Sequence, residues 1–274
     1  MNNILEKIIS DKKDSIKKYK NSFSILDLKN KISDYNKYFN FKDKLNQKKI
    51  SVVAEIKKAS PSAGTIVENF DPKVIAKQYY DSGADCLSVL TEENYFKGKL
   101  DDICEIKKEI KLPILCKDFL IEPYQVYLAK SFGADAILII LSAVNEKIAK
   151  EIYDTAENLN MSTIVEVHTN EEAKNALNFK NAIIGINNRN LKTLKTDIQK
   201  TYDLHKVLSN HPGPLLCESG IKSEKEVEQI VKKTGINNFL IGESLLKDLD
   251  KNFPLLSKIL QIKAWFKANL ALIL

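Results

Sequence analysis

The stretch SVVAEIKKASPSAG, residues 51–64, begins like a buried β-strand and then places two charges ahead of a Ser-Pro-Ser turn. Side chains alternate between the two faces of a strand, so this strand has one apolar face and one face that ends in charge. The apolar face carries Val52, Ala54 and Ile56, and the other face carries Val53, Glu55 and Lys57. Because a buried charge is unfavourable unless it is paired, the two charges predict either a structural Glu-Lys pair or a functional site at the strand end.

Seven further strand candidates follow this one along the chain, each rich in Val, Ile or Leu. Together the eight strands are ISVVAEIK, DCLSVL, PILCK, DAILIIL, TIVEVH, AIIGIN, PLLCES and NFLIG. Their ends lie about 26 residues apart on average, which is the length of one strand, one helix and two loops. Two of the units also resemble each other, since SGADCLSVL (residues 82–90) and FGADAILIIL (residues 132–141) share a Gly-Ala-Asp sequence before the strand.

Helical segments with clear start and stop signals separate these strands. One begins with Pro72 in its first turn, and another has Ser223 and Glu226 at capping-box spacing and stops at Gly235. Strict alternation of strand and helix implies parallel strands, so eight units predict an α/β fold with an eight-stranded parallel βα barrel, the TIM barrel. An open doubly wound sheet is the alternative, but its GxGxxG turn is missing.

The barrel is expected to fill residues 49–258 as the catalytic domain. Residues 1–48 are predicted to be a helical extension that docks over the barrel mouth, because no linker of Pro, Gly or Ser separates it from the first strand. Residues 259–274 form a C-terminal tail that is predicted to be helical.

The chain has a formal net charge of +6, and the excess lies at the N-terminus. Residues 1–49 hold 13 Lys and 6 acidic residues, whereas residues 50–274 hold 29 basic and 30 acidic residues. These lysines are interleaved with acids, which predicts a solvated helix face rather than a nucleic-acid surface. No apolar run approaches the roughly 20 residues that span a bilayer and no leader is recognisable, so we expect a cytoplasmic protein that binds neither nucleic acid nor membrane.

Cysteine and histidine usage predicts no metal site. The four cysteines form no CxxC pair and no zinc-type spacing with histidine, so we expect reduced thiols in the core. His168 lies two residues beyond Glu166 and shares its strand face, but no serine or cysteine nucleophile pairs with it. His205 and His211 fall in or after a helix and are expected on the surface.

Polar residues concentrate at the predicted carboxyl ends of the strands, where the active sites of TIM barrels lie. They are Glu55, Lys57, Lys117, Glu166, Asn187, Arg189, Glu218 and Ser219. Carboxylates and ammonium groups in such a ring shift one another's pKa values toward acid and base catalysis. Arg189 is the only arginine among 42 basic residues, which indicates a need for a planar, always-charged donor.

Glycine turns after the last two strands point to an anion. ESGI (residues 218–221) and IGES (residues 241–244) follow adjacent strands, and backbone N–H groups at such turns hold phosphate. We therefore expect a phosphorylated small-molecule substrate.

Six motifs occur in a fixed order: AEIKKASPSAG, LCKDF, IVEVH, IGINNRNL, LLCESGI and FLIGESLL. With these motifs, residues 3–258 closely resemble the indole-3-glycerol phosphate synthase family of tryptophan biosynthesis. The resemblance implies a carboxy-lyase without cofactor or metal that closes the ring of 1-(2-carboxyphenylamino)-1-deoxyribulose 5-phosphate, with loss of CO2 and water. The alternatives are another phosphate-binding barrel enzyme, such as a sugar-phosphate isomerase, and an inactive barrel that acts as a scaffold.

The same resemblance implies a role for each matching residue. Lys117 matches the general acid, Lys57 the lysine that holds the substrate anion and assists a proton step, and Glu166 the base for dehydration. Glu55 and Asn187 would order the lysines and the sugar hydroxyl groups. The phosphate would be held by Ser60, Ser219, Gly220, Gly242 and the backbone N–H of Glu243, whose carboxylate must turn away. Further substrate contacts would come from Arg189, Phe119, Leu138, Glu218 and Leu240.

The N-terminal helix would then cover the barrel mouth and supply apolar contacts to the anthranilate ring. We therefore expect that deletion of residues 1–45 raises KM strongly and leaves a folded barrel. We also expect a monomer, with contacts to other enzymes of the tryptophan pathway left open.

Overall fold

The computed structural model of the protein describes residues 4–35, 37–47, 50–191, 193–247 and 254–262. The N-terminal segment contains α1 (Ile4–Ser22), α2 (Ile25–Ser33) and α3 (Phe41–Leu45). Strand β1 (Ser51–Ile56) opens the barrel and is followed by a small antiparallel hairpin of β2 (Ala59–Ser60) and β3 (Gly64–Thr65). The remaining helices and strands alternate along the chain. They are α4 (Pro72–Asp81), β4 (Cys86–Leu90), α5 (Asp101–Glu109), β5 (Ile114–Lys117), α6 (Tyr124–Ser131), β6 (Ala136–Ile140), α7 (Glu146–Asn158), β7 (Ser162–Val167), α8 (Asn170–Ala176), β8 (Ile183–Asn187), α9 (Gln199–Leu208), β9 (Leu215–Glu218), α10 (Glu224–Thr234), β10 (Asn238–Ile241) and α11 (Glu243–Leu246).

The barrel closes because β1 pairs with strands from both ends of the series. Val53 lies opposite Cys86 of β4 and opposite Leu240 of β10, in parallel register on both sides. The eight strands form one closed sheet in the order β1-β10-β9-β8-β7-β6-β5-β4. The predicted eight-stranded parallel barrel is therefore confirmed, and the doubly wound alternative is excluded because an open sheet would have two unpaired edges.

The apolar side chains form two layers, one between the sheet and the helices and one inside the barrel. Val52, Ala54 and Ile56 belong to the outer layer, whereas Val53 belongs to the inner one. All six residues of β1 are buried, and full burial of one Val or Ile side chain stabilises the fold by about 1.5–3 kcal/mol. The alternation fixes the strand's orientation, and it brings Glu55 to the inner face.

The helix boundaries follow the sequence signals. In α10, the Ser223 hydroxyl accepts the N–H of Glu226, and the Glu226 carboxylate accepts the N–H of Ser223, which is the predicted capping box. Gly235 ends this helix at φ 72°, in the left-handed region that glycine enters without strain. Such a cap satisfies N–H groups that a helix leaves unpaired, and thus fixes where α10 begins.

The N-terminal extension runs from one end of the barrel to the other. Helix α1 lies over the mouth, where Leu5 and Ile8 join the inner apolar layer, and α2 packs against α6 on the outside. Helix α3 closes the opposite end, because Phe41 and Leu45 are buried in the inner layer. The Lys42 N–H donates to the Ser162 hydroxyl at the start of β7, over 3.1 Å. Residues 37–45 therefore plug the barrel and are separate from the helix that covers its mouth.

The structure describes part of the C-terminal tail. Residues 254–262 are helical, and Leu256 and Ile259 are buried in the outer apolar layer. Residues 263–274, which the sequence also predicts to be helical, lie outside the described residues. Among the helices that the structure describes, none is long and apolar enough to cross a bilayer.

Candidate active site

A cavity opens at the carboxyl ends of the barrel strands, beneath helix α1. One side of it is apolar and is formed by Leu5, Ile8, Phe96 and Phe119. The other side is polar and includes Lys57, Ser60 and Arg189. The cavity can therefore enclose a ligand with an aromatic part and an anionic part.

Lys117, at the end of β5, reaches two carboxylates from other strands. Its Nζ lies 2.7 Å from Glu166 Oε2 and 3.1 Å from Glu218 Oε2. Burial alone would lower the pKa of the Lys117 ammonium, but the charges of Glu166, Glu218 and Glu55 outweigh it and raise that pKa well above its ordinary value. Lys117 is therefore a cation at neutral pH.

The two carboxylates that flank Lys117 have opposite pKa shifts. Burial would raise the pKa of Glu166, but the charges of Lys117 and His168 lower it well below its ordinary value. Burial raises the pKa of Glu218, and the negative charge of Glu166 raises it further. Two buried carboxylates around one ammonium thus divide into a strongly acidic group and a weakly acidic one, which is the pattern that acid and base roles need.

His168 contacts the catalytic candidates more directly than the sequence predicts. Its Nε2 lies 3.2 Å from Glu166 Oε1, and its backbone N–H donates to Glu172 Oε2 at 2.7 Å. Burial would lower the pKa of His168, but its contacts with the two glutamates raise that pKa to about 9. A positively charged imidazole therefore helps to keep Glu166 ionised. His211, expected on the surface, is instead buried, with Nε2 2.9 Å from the Ala182 carbonyl oxygen.

Glu55 and Lys57 form an ion pair of 2.6 Å inside the mouth, with side chains only 8% and 11% exposed. A methyl group on Gly242 would lie 2.4 Å from Glu55 Oε1. Similarly, a methyl group on Gly185 would lie 2.1 Å from Glu218 Oε1. Two carboxylates thus rest on glycines of neighbouring strands. The sequence offered one signal for this, a glycine inside strand β8, which often marks a close approach.

The two glycine turns lie at the mouth as predicted, and one of them has unusual backbone angles. Ser219 and Gly220 have φ values of 65° and 83°, and a left-handed conformation is uncommon for serine. The Glu243 carboxylate contacts Lys247 Nζ at 2.7 Å and Arg189 Nη2 at 3.4 Å. This carboxylate thus forms ion pairs with both Lys247 and Arg189.

The remaining predicted residues also lie in or beside the mouth. Arg189 Nη1 donates to the Leu194 carbonyl at 2.9 Å and to the Ser62 hydroxyl at 3.3 Å, so it ties two loops together. Asn187 Oδ1 accepts the Arg189 N–H at 2.9 Å. Ser60 lies beside Ser62, while Leu138 and Leu240 belong to the inner apolar layer with Phe119.

Two features of the site have no counterpart in the sequence prediction. Lys12 of α1 was expected on a solvated face, but it is buried and lies 2.7 Å from Asp118. Burial would lower the pKa of Lys12, whereas the charge of Asp118 raises it overall. Asn188, which follows the predicted Asn187, is fully buried and hydrogen bonds to the Ser219 carbonyl at 3.0 Å.

In the part of the chain that the structure describes, no group of three or more His, Cys, Asp or Glu residues could hold a metal ion. The four cysteines are free; three are buried and Cys104 is partly buried. The polar groups gathered at the mouth are ammonium, guanidinium, imidazole, carboxylate, hydroxyl and amide groups.

Comparison with known proteins connects this site to one family. The family model described as indole-3-glycerol phosphate synthase matches residues 5–255. A relative of that name from Acaryochloris marina (strain MBIC 11017) is 39% identical over 253 residues, which cover 90% of this chain and 83% of the relative. Another, from Prochlorococcus marinus (strain MIT 9515), is 41% identical over 255 residues, which cover 90% of this chain and 86% of the relative.

Solved structures share the fold at low sequence identity. The 3-hexulose-6-phosphate synthase from Salmonella typhimurium aligns with a TM-score of 0.63 and 12% identity, covering 79% of this chain and 99% of that chain. The tryptophan synthase subunit alpha from Legionella pneumophila aligns with a TM-score of 0.57 and 16% identity, covering 78% and 93%. These likenesses support the barrel fold alone. The family match and the curated relatives carry the assignment, and the chain belongs to the indole-3-glycerol phosphate synthase family.

Proposed function

We propose that this protein is an indole-3-glycerol phosphate synthase, a carboxy-lyase of tryptophan biosynthesis that acts on 1-(2-carboxyphenylamino)-1-deoxyribulose 5-phosphate. The observation that carries the proposal is the position of Lys117 Nζ, within 2.7 Å of Glu166 and 3.1 Å of Glu218 at the barrel mouth. This arrangement offers a proton donor and a base to one bound substrate. Family membership supports the same reaction, and the sugar-phosphate isomerase alternative is not favoured.

The reaction forms one carbon–carbon bond and releases CO2 and water. The ring carbon that bears the carboxylate attacks the ketone carbon, and the ketone oxygen takes up a proton. Loss of CO2 returns the electron pair of the broken bond to the ring. The new hydroxyl group then leaves as water, and the neighbouring methylene carbon loses a proton, which completes the indole. The protein must therefore supply two protons in turn to the same oxygen and remove one proton from carbon.

Lys117 is assigned the donation of a proton to the ketone oxygen. Its raised pKa keeps it fully charged before the reaction, and a developing alkoxide is a stronger base than a lysine amine, so the transfer is favourable in that direction. Glu166 and Glu218 hold the ammonium in place before the substrate reacts. The site thus needs little rearrangement as charge develops.

Glu166 is assigned the base of the dehydration step. Its lowered pKa keeps it ionised, and it gains basicity when Lys117 gives up the proton that stabilises the carboxylate. Proton donation by Lys117 therefore comes before proton removal by Glu166, because the loss of the Lys117 charge makes the Glu166 carboxylate more basic. Glu218, with its raised pKa, helps to orient Lys117.

Lys57 is assigned to the substrate anion and assists a proton step, and Glu55 fixes its ammonium through their 2.6 Å ion pair. Asn187 orders the sugar hydroxyl groups from the end of β8. Arg189 positions the substrate from the polar side of the cavity, which its side chain lines.

The phosphate is assigned to the two glycine turns and to the hairpin after β1. Its ligands would be Ser60, Ser219, Gly220, Gly242 and the backbone N–H of Glu243. The Glu243 carboxylate is engaged by Lys247 and Arg189, so its charge is partly neutralised. The anthranilate ring would lie against Phe119, Leu138 and Leu240 and under Leu5 and Ile8 of α1. We propose a cytoplasmic monomer that needs no cofactor.

The direct test incubates the purified protein with 1-(2-carboxyphenylamino)-1-deoxyribulose 5-phosphate and follows the rise of indole fluorescence. We expect turnover of this substrate without added metal or cofactor. A parallel assay with sugar-phosphate isomerase substrates should give no turnover. Absence of the indole product, or isomerase activity alone, would overturn the proposed function.

A further inference from the structure

Asn188 directly follows strand β8, is fully buried and has no role in the mechanism proposed above. Its Oδ1 accepts hydrogen bonds from the Thr201 hydroxyl at 2.8 Å and from the Thr201 N–H at 3.2 Å. Its Nδ2 donates to the Ser219 carbonyl oxygen at 3.0 Å, and its backbone N–H donates to the Glu218 carbonyl at 3.0 Å. Asn188 is thus anchored to helix α9 on one side and holds the turn after β9 on the other.

The turn that Asn188 holds is one that a serine does not adopt freely. Ser219 has φ 65° and Gly220 has φ 83°, so two successive residues are left-handed. A residue with a side chain stays in this region only where its surroundings fix it. The hydrogen bond from Asn188 to the Ser219 carbonyl is such a constraint, because it acts on the peptide group that joins the two residues.

The same hydrogen bond sets the direction of the Gly220 N–H. In a trans peptide the carbonyl oxygen and the following N–H point in opposite directions. Asn188 binds the Ser219 carbonyl from the outer face of the sheet, where Thr201 and Cys217 also lie. The Gly220 N–H therefore points to the opposite side, and within the described residues no hydrogen-bond acceptor meets it.

We propose that Asn188 is a positioning residue for the substrate phosphate. It fixes the left-handed turn at Ser219 and so directs the Gly220 N–H toward the phosphate, without touching the substrate itself. The inference rests on the proposed function, because it takes the phosphate site at this turn as given. It adds a residue that acts from the outer face of the sheet.

The chain offers a matched control at the other end of strand β9, the end opposite the Ser219 turn. Asn238 is 2% exposed, and its Nδ2 donates to the carbonyl oxygen of Leu215, the first residue of β9, at 3.0 Å. Asn188 and Asn238 therefore brace the two ends of β9 by the same kind of bond. Only the Asn188 end carries the proposed phosphate turn.

The test compares Asn188→Ala with Asn238→Ala. Steady-state kinetics give KM and kcat, and calorimetry with inorganic phosphate gives a dissociation constant that does not depend on turnover. For Asn188→Ala we expect KM and the phosphate dissociation constant to rise at least about tenfold, with kcat changed less than about threefold. Asn238→Ala should leave both binding measurements within about twofold of the wild type. A merely structural role would move both variants alike.

A second comparison, made in a protein that already carries Ser219→Gly, makes the test specific to the Ser219 turn. In Ser219→Gly the backbone enters the left-handed region without help, so adding Asn188→Ala there should raise the phosphate dissociation constant by less than about threefold. If Asn188→Ala does not fold, Asn188→Ser replaces it, since the shorter side chain cannot reach the Ser219 carbonyl.

Unchanged phosphate binding in the Asn188 variant would overturn the inference, as would an equal loss in the Asn238 variant. A wild type that binds phosphate but forms no indole product would instead overturn the proposed function, so the two failures are distinguishable. A wild type that binds no phosphate would overturn the positioning role itself.

Discussion

Lys12 of helix α1 and Asp118, the residue that follows Lys117, form an ion pair of 2.7 Å whose side chains are 7% and 10% exposed. The same carboxylate accepts the Thr91 hydroxyl at 2.9 Å and the Phe119 N–H at 2.7 Å. The helix over the mouth is therefore connected to the strand end that carries Lys117 and Phe119.

Lys12→Met should loosen this helix and weaken substrate binding. Removal of one partner from a buried ion pair costs about 3–5 kcal/mol, because the other charge stays buried and unpaired. We expect a loss of this size in the free energy of unfolding, measured by urea denaturation, and a KM at least about fivefold higher because Leu5 and Ile8 move from the cavity.

Lys20→Met is the matched control for this prediction. Lys20 lies on the same helix and pairs with Glu122, but the two side chains are 46% and 32% exposed. Exposed pairs contribute about 0–1 kcal/mol, so this variant should retain the wild-type KM. Equal effects of the two variants would show that the buried pair has no special part in holding the helix.

The sequence could predict which residues meet at the mouth, but not how helix α1, the lid over the mouth, is attached to the barrel. Alternation in β1 placed Glu55 on the inner face, and the barrel prediction gathered Lys117, Glu166 and Glu218 because all carboxyl ends of parallel strands share one rim. Lys12 carried no such signal. A lysine among acidic neighbours on an amphipathic helix is usually solvated, and its partner Asp118 lies far away in the chain.

The buried polar residues were missed for a related reason. His211 follows helix α9 and was expected on the surface, yet it binds the Ala182 carbonyl at the start of the neighbouring strand. Asn188 sits in a polar loop sequence, where nothing local separates a buried amide from an exposed one. Burial of a polar side chain depends on tertiary hydrogen-bond partners, and these become visible only when the strands are placed side by side.

Gly185→Ala should disturb the site by displacing Glu218. The added methyl group would lie 2.1 Å from Glu218 Oε1 and 3.1 Å from Ile164 Cγ2, so the carboxylate must move away from Lys117. We expect kcat to fall by at least about a hundredfold and the melting temperature to drop.

The double variant Gly185→Ala/Glu218→Ala checks the cause, because alanine at 218 leaves room for the methyl group. Its melting temperature should equal that of Glu218→Ala alone, and its kcat should stay low. An additional loss of stability in the double variant would mean that the clash with Glu218 is not the main effect.

His168 should make stability and activity depend on pH in a defined direction. Its pKa is raised from its ordinary value of 6.5 to about 9 in the folded protein. A raised pKa means that its contribution to stability is fully present below about pH 6.5 and is lost as the pH rises through about 9. The stability difference between the wild type and His168→Asn should therefore shrink across this range in urea titrations.

The same variant should shift the acid limb of the kcat profile. His168 helps to lower the pKa of Glu166, so its removal should move the pH at which the base becomes protonated upward. His205→Asn, a partly exposed histidine on α9, serves as the control and should leave the profile unchanged. An unshifted acid limb in His168→Asn would contradict the role of Glu166 as the base that His168 keeps ionised.

Deletion of residues 1–22 should test the lid more cleanly than the deletion of residues 1–45. The shorter deletion removes α1 and leaves Phe41 and Leu45, which plug the far end of the barrel. We expect a folded protein with KM raised at least about tenfold, since the apolar contacts of Leu5 and Ile8 with the ring are lost. The longer deletion also removes Phe41, and the loss of a buried Phe side chain from a core costs about 3–5 kcal/mol.

Circular dichroism and steady-state kinetics of both truncated proteins separate these effects. The longer deletion should unfold at a markedly lower urea concentration than the shorter one. Wild-type KM in the protein that lacks residues 1–22 would refute the lid role of α1.

Lys117→Met tests the central claim, which is that Lys117 is the general acid. Methionine has a similar length but has no ammonium group that could donate a proton. The decisive measurement is kcat, followed by indole fluorescence, together with the dissociation constant of inorganic phosphate. The proposed mechanism predicts a loss of kcat of about a thousandfold or more, with phosphate binding within about threefold of the wild type. A variant that turns over the substrate at a rate close to that of the wild type would contradict the assignment of Lys117 as the general acid.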